Sequence, residues 1–262
     1  MITALNQRWR ERRDLYRPAG EVIRTIQYEV APLADDTTPR TFVERHHYSG
    51  TYVAARFRFG LFRGAELVGV AVFSHPCNDK ALTNVFPGDA LESVELGRFV
   101  LTDDVPGNGE TWFLGRCFEQ LRTEGLNGVL SFSDPVPRTA LDGRVVFRGH
   151  FGTIYQAHNA RFLGRATART LRLLPDGRSF HPYARQKVRS GKRGQAYAAG
   201  QLVAAGAAPL EGDPAAWLAR EIPRVTRTLR HPGNYRYAWG LTRAATRALP
   251  DGRPYPKFSR AA

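Results

Sequence analysis

The spacing of apolar and polar positions divides the chain into short strands and helices. In "EVIRTIQYEVA" the alternation at Ile26, Tyr28 and Val30 predicts a strand. Thr38 and Pro39 form an N-cap and first helical residue, so "PRTFVERHHY" predicts a helix whose last turn carries His46, His47 and Tyr48 and which Gly50 ends. "ARFRFGLFRGAELVGVAVFSHP" predicts a hairpin of strands 55–62 and 66–74 turning at Arg63-Gly64. A further strand covers 92–101, with Gly97 breaking the alternation as a bulge does. Phe113, Leu114, Cys117, Phe118 and Leu121 then recur at helical spacing, from about Asn108 or Glu110 to Gly125. A buried strand "GVLSFSDP", a helix over 152–163 closed by Gly164, and a strand ending in a "PDG" turn follow. Beyond it the chain turns basic and Ala/Gly-rich, opens a helix at Asp213-Pro214 and reaches a late strand in "NYRYAWGL".

This order of elements resembles that of the GCN5-related acetyltransferases. The resemblance implies an α/β (α+β) fold, a mixed central sheet flanked by helices, over roughly 21–174. A basic arm would precede it at 1–20, and a basic C-terminal extension packed on the core would follow at 175–262. It also implies an acyl donor held by the bulged strand at Phe99, Val100 and Leu101 and by the next helix N-terminus. There "PGNG" exposes backbone amides at Gly107, Asn108 and Gly109, where a helix dipole favours a pyrophosphate; such a turn is more often no more than a turn. The usual acetyltransferase loop of the form Arg/Gln-x-x-Gly-x-Gly/Ala is replaced by "DDVPGNGE".

Charge narrows the partners. The 262 residues carry a formal +14, and residues 178–262 hold sixteen Lys/Arg against four Asp/Glu. Such a surface attracts polyanions, nucleic acid first among them, or is a solvated arginine-rich face. No apolar run nears the roughly 20 residues that span a bilayer, and no signal-peptide core is visible, so a cytoplasmic protein without a membrane partner is expected. Cys77 and Cys117, far apart and without zinc spacing, are expected as reduced core residues.

More specific strings are "HHYSG", "ELGRFVL", "SFSDP", "GHFGTIYQAHNARFLG" and "NYRYAW". Together they resemble the phage Mom family, which modifies adenine in DNA to a carbamoylmethyl form and so protects phage DNA from restriction. The resemblance implies roles for His47 and Tyr48 after the first helix, for Asp134 at a strand end beside Ser133, and for Tyr155 in the next helix. It also brings a suspected iron, for which His47 and Asp134 are the candidate ligands, and an acetyl-coenzyme A or related acyl donor. In residue terms Asp134 is a base for a poorly nucleophilic exocyclic amine or a loop cap, and Tyr155 is an acid for a leaving thiolate or a core residue. Tyr48 is a stacking ring for a flipped base, and His47 a ligand or a satisfied buried imidazole. Adjacent helical histidines face apart, so at most one joins the site. Arg98 and His150 are phosphate or base contacts or surface groups, and His158 and Asn159 read as capping groups. A reaction on a base in double-stranded DNA needs phosphate contacts, for which Arg185, Lys187, Arg189, Lys192, Arg193 and Arg236 are candidates, with Arg224, Arg227 and Arg230 behind them. Tyr235, Tyr237 and Trp239 are a stacking surface or a core strand. An ordinary N-acetyltransferase on a small or protein amine and a non-catalytic nucleic-acid-binding module remain alternatives, and the oligomeric state, monomer or homodimer, is open.

Overall fold

The computed structural model describes residues 5–10, 13–18 and 21–256. Of the basic arm expected at 1–20, the backbone of Leu5–Arg10 pairs antiparallel with Arg13–Pro18, and the rest lies outside the described residues.

Seven strands form one mixed sheet: β1 (Tyr28–Pro32), β2 (Ala55–Arg63), β3 (Glu66–Ser74), β4 (Ser93–Leu101), β5 (Gly128–Ser133), β6 (Arg161–Arg165) and β7 (Tyr235–Gly240). Their spatial order is β6-β7-β5-β4-β3-β2-β1, with β4 and β5 parallel and every other neighbouring pair antiparallel. The β2–β3 hairpin turns at Gly64, whose φ of +58° suits a residue without Cβ, and the Arg63–Glu66 ion pair (2.7 Å) closes it. Helix α1 (Thr37–His46) and helix α2 (Gly109–Thr123) accompany the sheet. The face of α2 read from its spacing is the buried one: Phe113, Leu114, Cys117, Phe118 and Leu121 join Leu61, Phe73, Leu96 and Val129 in the main core. Val43 of α1 belongs to a second cluster with Val70, Val72 and Val100. The expected mixed sheet flanked by helices is the fold observed.

Three expectations are corrected. The helix expected over 152–163 is α3 (Thr153–Ala157) alone; Asn159 enters the left-handed region (φ 57°), the Ala160 amide closes the turn on the Tyr155 carbonyl (2.9 Å), and the chain continues as β6. Phe162 and Leu163 continue the helical spacing only by coincidence. Cys77 is exposed, whereas Cys117 is buried; both are free thiols. The core is not the contiguous stretch 21–174, because β7 from the C-terminal part is a central strand of the sheet. By its packing the chain forms one unit from 1–134, 150–165 and 234–262, and a second from 135–149 and 166–233.

The second unit has its own core. Helices α4 (Pro182–Arg189), α5 (Gln195–Ala204) and α6 (Pro214–Val225) enclose Val188, Ala198, Leu202, Trp217 and Ile222, and the strand pair Arg169–Leu173 with Arg227–His231 belongs to the same unit. The side chains of His181 and Asp213 cap α4 and α6, each with Pro at the first helical turn. No helix among the described residues is long and apolar enough to cross a membrane.

Candidate active site

The parallel pair β4/β5 comes apart where the chemistry-bearing residues gather. Its register runs from Ser93 opposite Gly128 to Leu96 opposite Ser131 and stops there, although β4 continues to Leu101. At the same point Phe73 pairs with Leu96 and Val72 with Arg98, so Gly97 is the extra residue of a bulge. A Cβ on Gly97 would lie 2.8 Å from Ser74 Oγ and 3.1 Å from a methyl of Val53, so the bulge needs its glycine. Ser131 Oγ donates to the Leu96 carbonyl (3.1 Å) at the point of parting. The cleft that opens is lined by His47, Tyr48, Leu96, Gly97, Phe99, Phe132, His150, Ile154 and Tyr155.

His47 and Tyr48 both reach this cleft because α1 ends one residue before them. His47 is the C-cap, in extended conformation, and the pair stands on irregular backbone with ring centroids 4.3 Å apart. His46, still helical, packs on Phe42 instead. The Ser49 amide donates to His47 Nδ1 (3.2 Å), with Ser49 Oγ 2.9 Å from the same nitrogen. Burial first, then Arg98 and His150, hold the His47 pKa well below its ordinary value, so the imidazole is neutral and its proton sits on Nε2.

Arg98 ties the 47–54 stretch to the bulge. Its Nε donates to the Thr51 carbonyl (2.7 Å), Nη2 to Thr51 Oγ1 (2.9 Å) and Nη1 to the Gly97 carbonyl (2.6 Å). Burial lowers its pKa, partly offset by Tyr48, Glu95 and Tyr155. Glu95 is a functional candidate the sequence reading passed over. Burial raises its carboxyl pKa, against the pull of Arg98, and it lies within electrostatic reach of Tyr155. An acid among the apolar residues Val94 and Leu96, two residues before a bulge, was the available signal.

Tyr155, from α3, is buried and hydrogen-bonded to Ser131; burial pushes its hydroxyl pKa up, so it stays protonated across the physiological range. The wall behind it is β7. Tyr237 packs edge-on at 5.4 Å and Trp239 at 5.5 Å, the Tyr237 hydroxyl donates to the Phe151 carbonyl (2.6 Å), and Trp239 Nε1 donates to the His158 carbonyl (3.0 Å). Tyr235, Tyr237 and Trp239 are thus core residues that position α3, and no stacking surface.

Asp134 and Ser133 stand differently. The Asp134 carbonyl accepts the His150 amide (2.6 Å) and its charge raises the His150 pKa, but burial outweighs it and His150 falls to about 4. Neither Asp134 nor Ser133 lines the cleft itself; Ser133 Oγ is buried without a hydrogen-bond partner. The iron expected at His47 and Asp134 finds no site: His47 Nδ1 is engaged by Ser49 while Nε2 holds the proton, and no group of three His, Cys, Asp or Glu gathers among the described residues. These residues do not fit an iron ion.

In the turn expected to cradle a pyrophosphate, Glu21 already supplies an anion. Its carboxylate accepts the Gly107 amide (2.6 Å), Asn108 Oδ1 accepts the Ile23 amide (2.8 Å), the Gly109 amide binds the Pro106 carbonyl (2.8 Å), and Glu110 is buried in the first turn of α2. A phosphate would have to displace Glu21. Farther back on β4, Phe99 packs against Phe113, and Val100 and Leu101 are buried; among the described residues no strand pairs with the β5-side edge of this stretch, although Leu5–Arg10 comes close to β4.

The model of the Mom protein family matches residues 27–257. The chain belongs to that family. A comparison of this Mom-family chain with curated proteins gives no match. Among solved structures it is similar to a tandem GNAT protein from the clavulanic acid biosynthesis pathway (without AcCoA), at 9% identity and a TM-score of 0.42, over 82% of this chain and 99% of that one.

The second unit holds most of the charge, fifteen Lys/Arg against five Asp/Glu. Several of its cations are engaged within the unit and others are not. Glu221, buried, receives Arg220 Nε (2.8 Å) and Arg224 Nη2 (2.6 Å), which hold its carboxyl down at about 2; Arg178 pairs with Asp176, and Arg227 donates to the Thr139 carbonyl. Arg185, Lys187, Arg189, Lys192 and Arg193 form no ion pair among the described residues, in a stretch, 177–210, without a single acid. Lys187, Lys192 and Arg193 line a cleft of ≈240 Å³ together with Tyr183, Gln186 and Ser190. Arg236, grouped with them from the sequence, is instead on β7, half-buried, donating to the Leu163 carbonyl (2.9 Å).

Proposed function

We propose that this Mom-family protein is an acyl-transfer enzyme that joins an acyl or glycyl group to the exocyclic N6 amine of adenine in double-stranded DNA, an N6-glycyl adduct being the isomer from which a carbamoylmethyladenine-type product forms by a separate rearrangement. The observation that carries the reading is the presence, in one Mom-family chain, of an aromatic-walled cleft at a parted parallel strand pair and of five clustered cations without carboxylate partners. The unpaired edge of β4 beyond Leu96 suits an extended acyl donor such as acyl-coenzyme A, which supplies an activated carbonyl; the turn at Gly107 suits its phosphates only after Glu21 moves away.

The chain's own groups have separable tasks. A carboxylate takes the proton that the amine loses as it attacks; burial-raised Glu95 is better matched to that task than an ordinary surface acid, and Asp134 acts on the cleft through His150. Tyr155, held protonated and anchored by Ser131, delivers a proton at its hydroxyl to the departing group. Neutral His47 presents Nε2–H as a donor to a carbonyl oxygen gaining charge. Arg185, Lys187, Arg189, Lys192 and Arg193 hold phosphates, which offsets the few kcal/mol needed to extrude a base.

The small enclosed volume of the cleft, ≈40 Å³, favours a second reading, an N-acetyltransferase acting on a small amine. Mass spectrometry of nucleosides from cells expressing the native chain, Asp134→Ala or Glu95→Gln separates the two. An adenosine adduct present with the native chain and reduced at least tenfold in a variant supports the DNA reading and names the base. Unmodified DNA with acetyl-coenzyme A consumed by small amines supports the second.

A further inference from the structure

We propose that Tyr48 and His150 form a two-ring slot for one flat heteroaromatic ring, a nucleobase extruded from its strand. The proposal rests on the DNA reading above and names how its substrate is held. The two rings are nearly parallel, 24° apart, with centroids separated by 6.3 Å. A base in van der Waals contact with a ring on each side needs roughly 6.8 Å, twice the 3.4 Å rise of stacked bases. The centroid separation is an upper limit on the gap between the faces, so the rings must part by at least about half an ångström to hold a base.

Both rings stand on backbone that can supply that widening. Tyr48 follows the end of α1 in the irregular 47–54 stretch, and His150 lies between Gly149 (φ 94°) and Gly152 (φ 72°), outside any strand or helix. Each is backed by a second ring. His47 lies against Tyr48 at 4.3 Å, and Tyr155 meets His150 edge-on at 5.5 Å, so each ring of the slot is braced by a neighbour. The enclosed volume of ≈40 Å³ holds a water and no base, so entry is by parting the rings.

The chemistry of the walls matches a neutral, polar, planar guest. His150 Nδ1 is buried with no hydrogen-bond partner, so the ring is not tied in place by that nitrogen. An uncharged imidazole stacks on a neutral base without the desolvation cost of a cation, and burial keeps His150 uncharged near neutral pH. Tyr155 and the Gly97 bulge line the same cleft, so a ring held there lies in one cleft with the hydroxyl assigned to proton delivery.

The test removes sequence context and duplex opening. A strand built of tetrahydrofuran abasic units with one central adenine is compared with the same strand lacking the base, by fluorescence anisotropy at low salt. Phosphate contacts are common to both, so their ratio of dissociation constants reads the base alone. The native chain is expected to prefer the adenine strand by roughly 10- to 100-fold, as stacking on aromatic side chains gives. Tyr48→Ala and His150→Ala should each bring the ratio towards one, while Tyr48→Phe keeps it. Equal binding of the two strands by the native chain, or an undiminished ratio in both alanine variants, overturns the slot and leaves the phosphate grip standing. Binding of neither strand overturns the slot and the DNA reading together.

Discussion

His150 makes the stability of the protein depend on pH in a window where few other groups act. Its imidazole titrates near 6.5 in the unfolded chain and near 4 in the folded one, because burial opposes the charged form more strongly than Asp134 favours it. A lowered histidine pKa means that the unfolded state binds the proton first, so stability is lost as pH falls below 6.5 and the loss is complete below 4. The difference of about 2.5 units corresponds to about 3 kcal/mol in full, of which about 2 kcal/mol has been lost by pH 5. His47, also depressed by burial, adds in the same direction; Glu95, with a raised pKa, opposes it; and Glu221, held near 2, acts mostly at lower pH. Urea denaturation at pH 7.5 and pH 5.0 of the native chain and of His150→Gln isolates the one group, since the other titrations are shared. The native chain should lose about 2 kcal/mol more than the variant over that interval. Equal losses in the two proteins would refute the assignment of His150 as a buried neutral imidazole, and with it the electrostatic argument for the slot.

Two further outcomes follow from the same geometry. Replacing Arg185, Lys187, Lys192 and Arg193 by alanine should weaken duplex DNA binding and flatten the dependence of log affinity on log salt by up to about 3.6, at 0.9 per phosphate lost; an unchanged slope removes α4 and the following loop from the DNA surface. Gly152→Ala combines a left-handed φ of 72° with a Cβ 2.5 Å from the Tyr237 ring, so a destabilisation of roughly 2–4 kcal/mol in denaturant unfolding is expected, with loss of adduct formation because α3 carries Tyr155.

Local pattern revealed what local physics decides. The β2–β3 hairpin, the bulge at Gly97 and the buried face of α2 are each written in a few adjacent residues, by alternation, by a glycine out of phase, or by 3.6-residue spacing. The stretch 152–163 misled because Phe162 and Leu163 fit a helix as well as a strand; their strand state is set by pairing with β7, some seventy residues away. For the same reason the division of the chain was hidden: residues 135–149 and 166–233 pack together although the strand-forming 150–165 separates them. At the site, His47, Tyr48 and Tyr155, singled out by residue type, line one cleft. The helix boundary decided that His47 and Tyr48 face it together, which adjacent helical residues cannot do.

Charge shows most clearly why composition alone cannot assign a surface. Arg98, Arg220, Arg224, Arg227 and Arg236 all count towards the +14, yet each guanidinium is committed to a carbonyl, a hydroxyl or a carboxylate of this chain. Removing one of them leaves buried acceptors unsatisfied, which costs stability before it costs affinity. Arg185, Lys187, Arg189, Lys192 and Arg193 have no such commitments among the described residues, and the sequence carries no acid between 177 and 210. Like charges held this close repel one another, a cost the fold accepts along two turns of α4 and the loop after it. A polyanion relieves that repulsion by binding, and so the electrostatic cost in the free protein becomes part of the driving force for association in the complex.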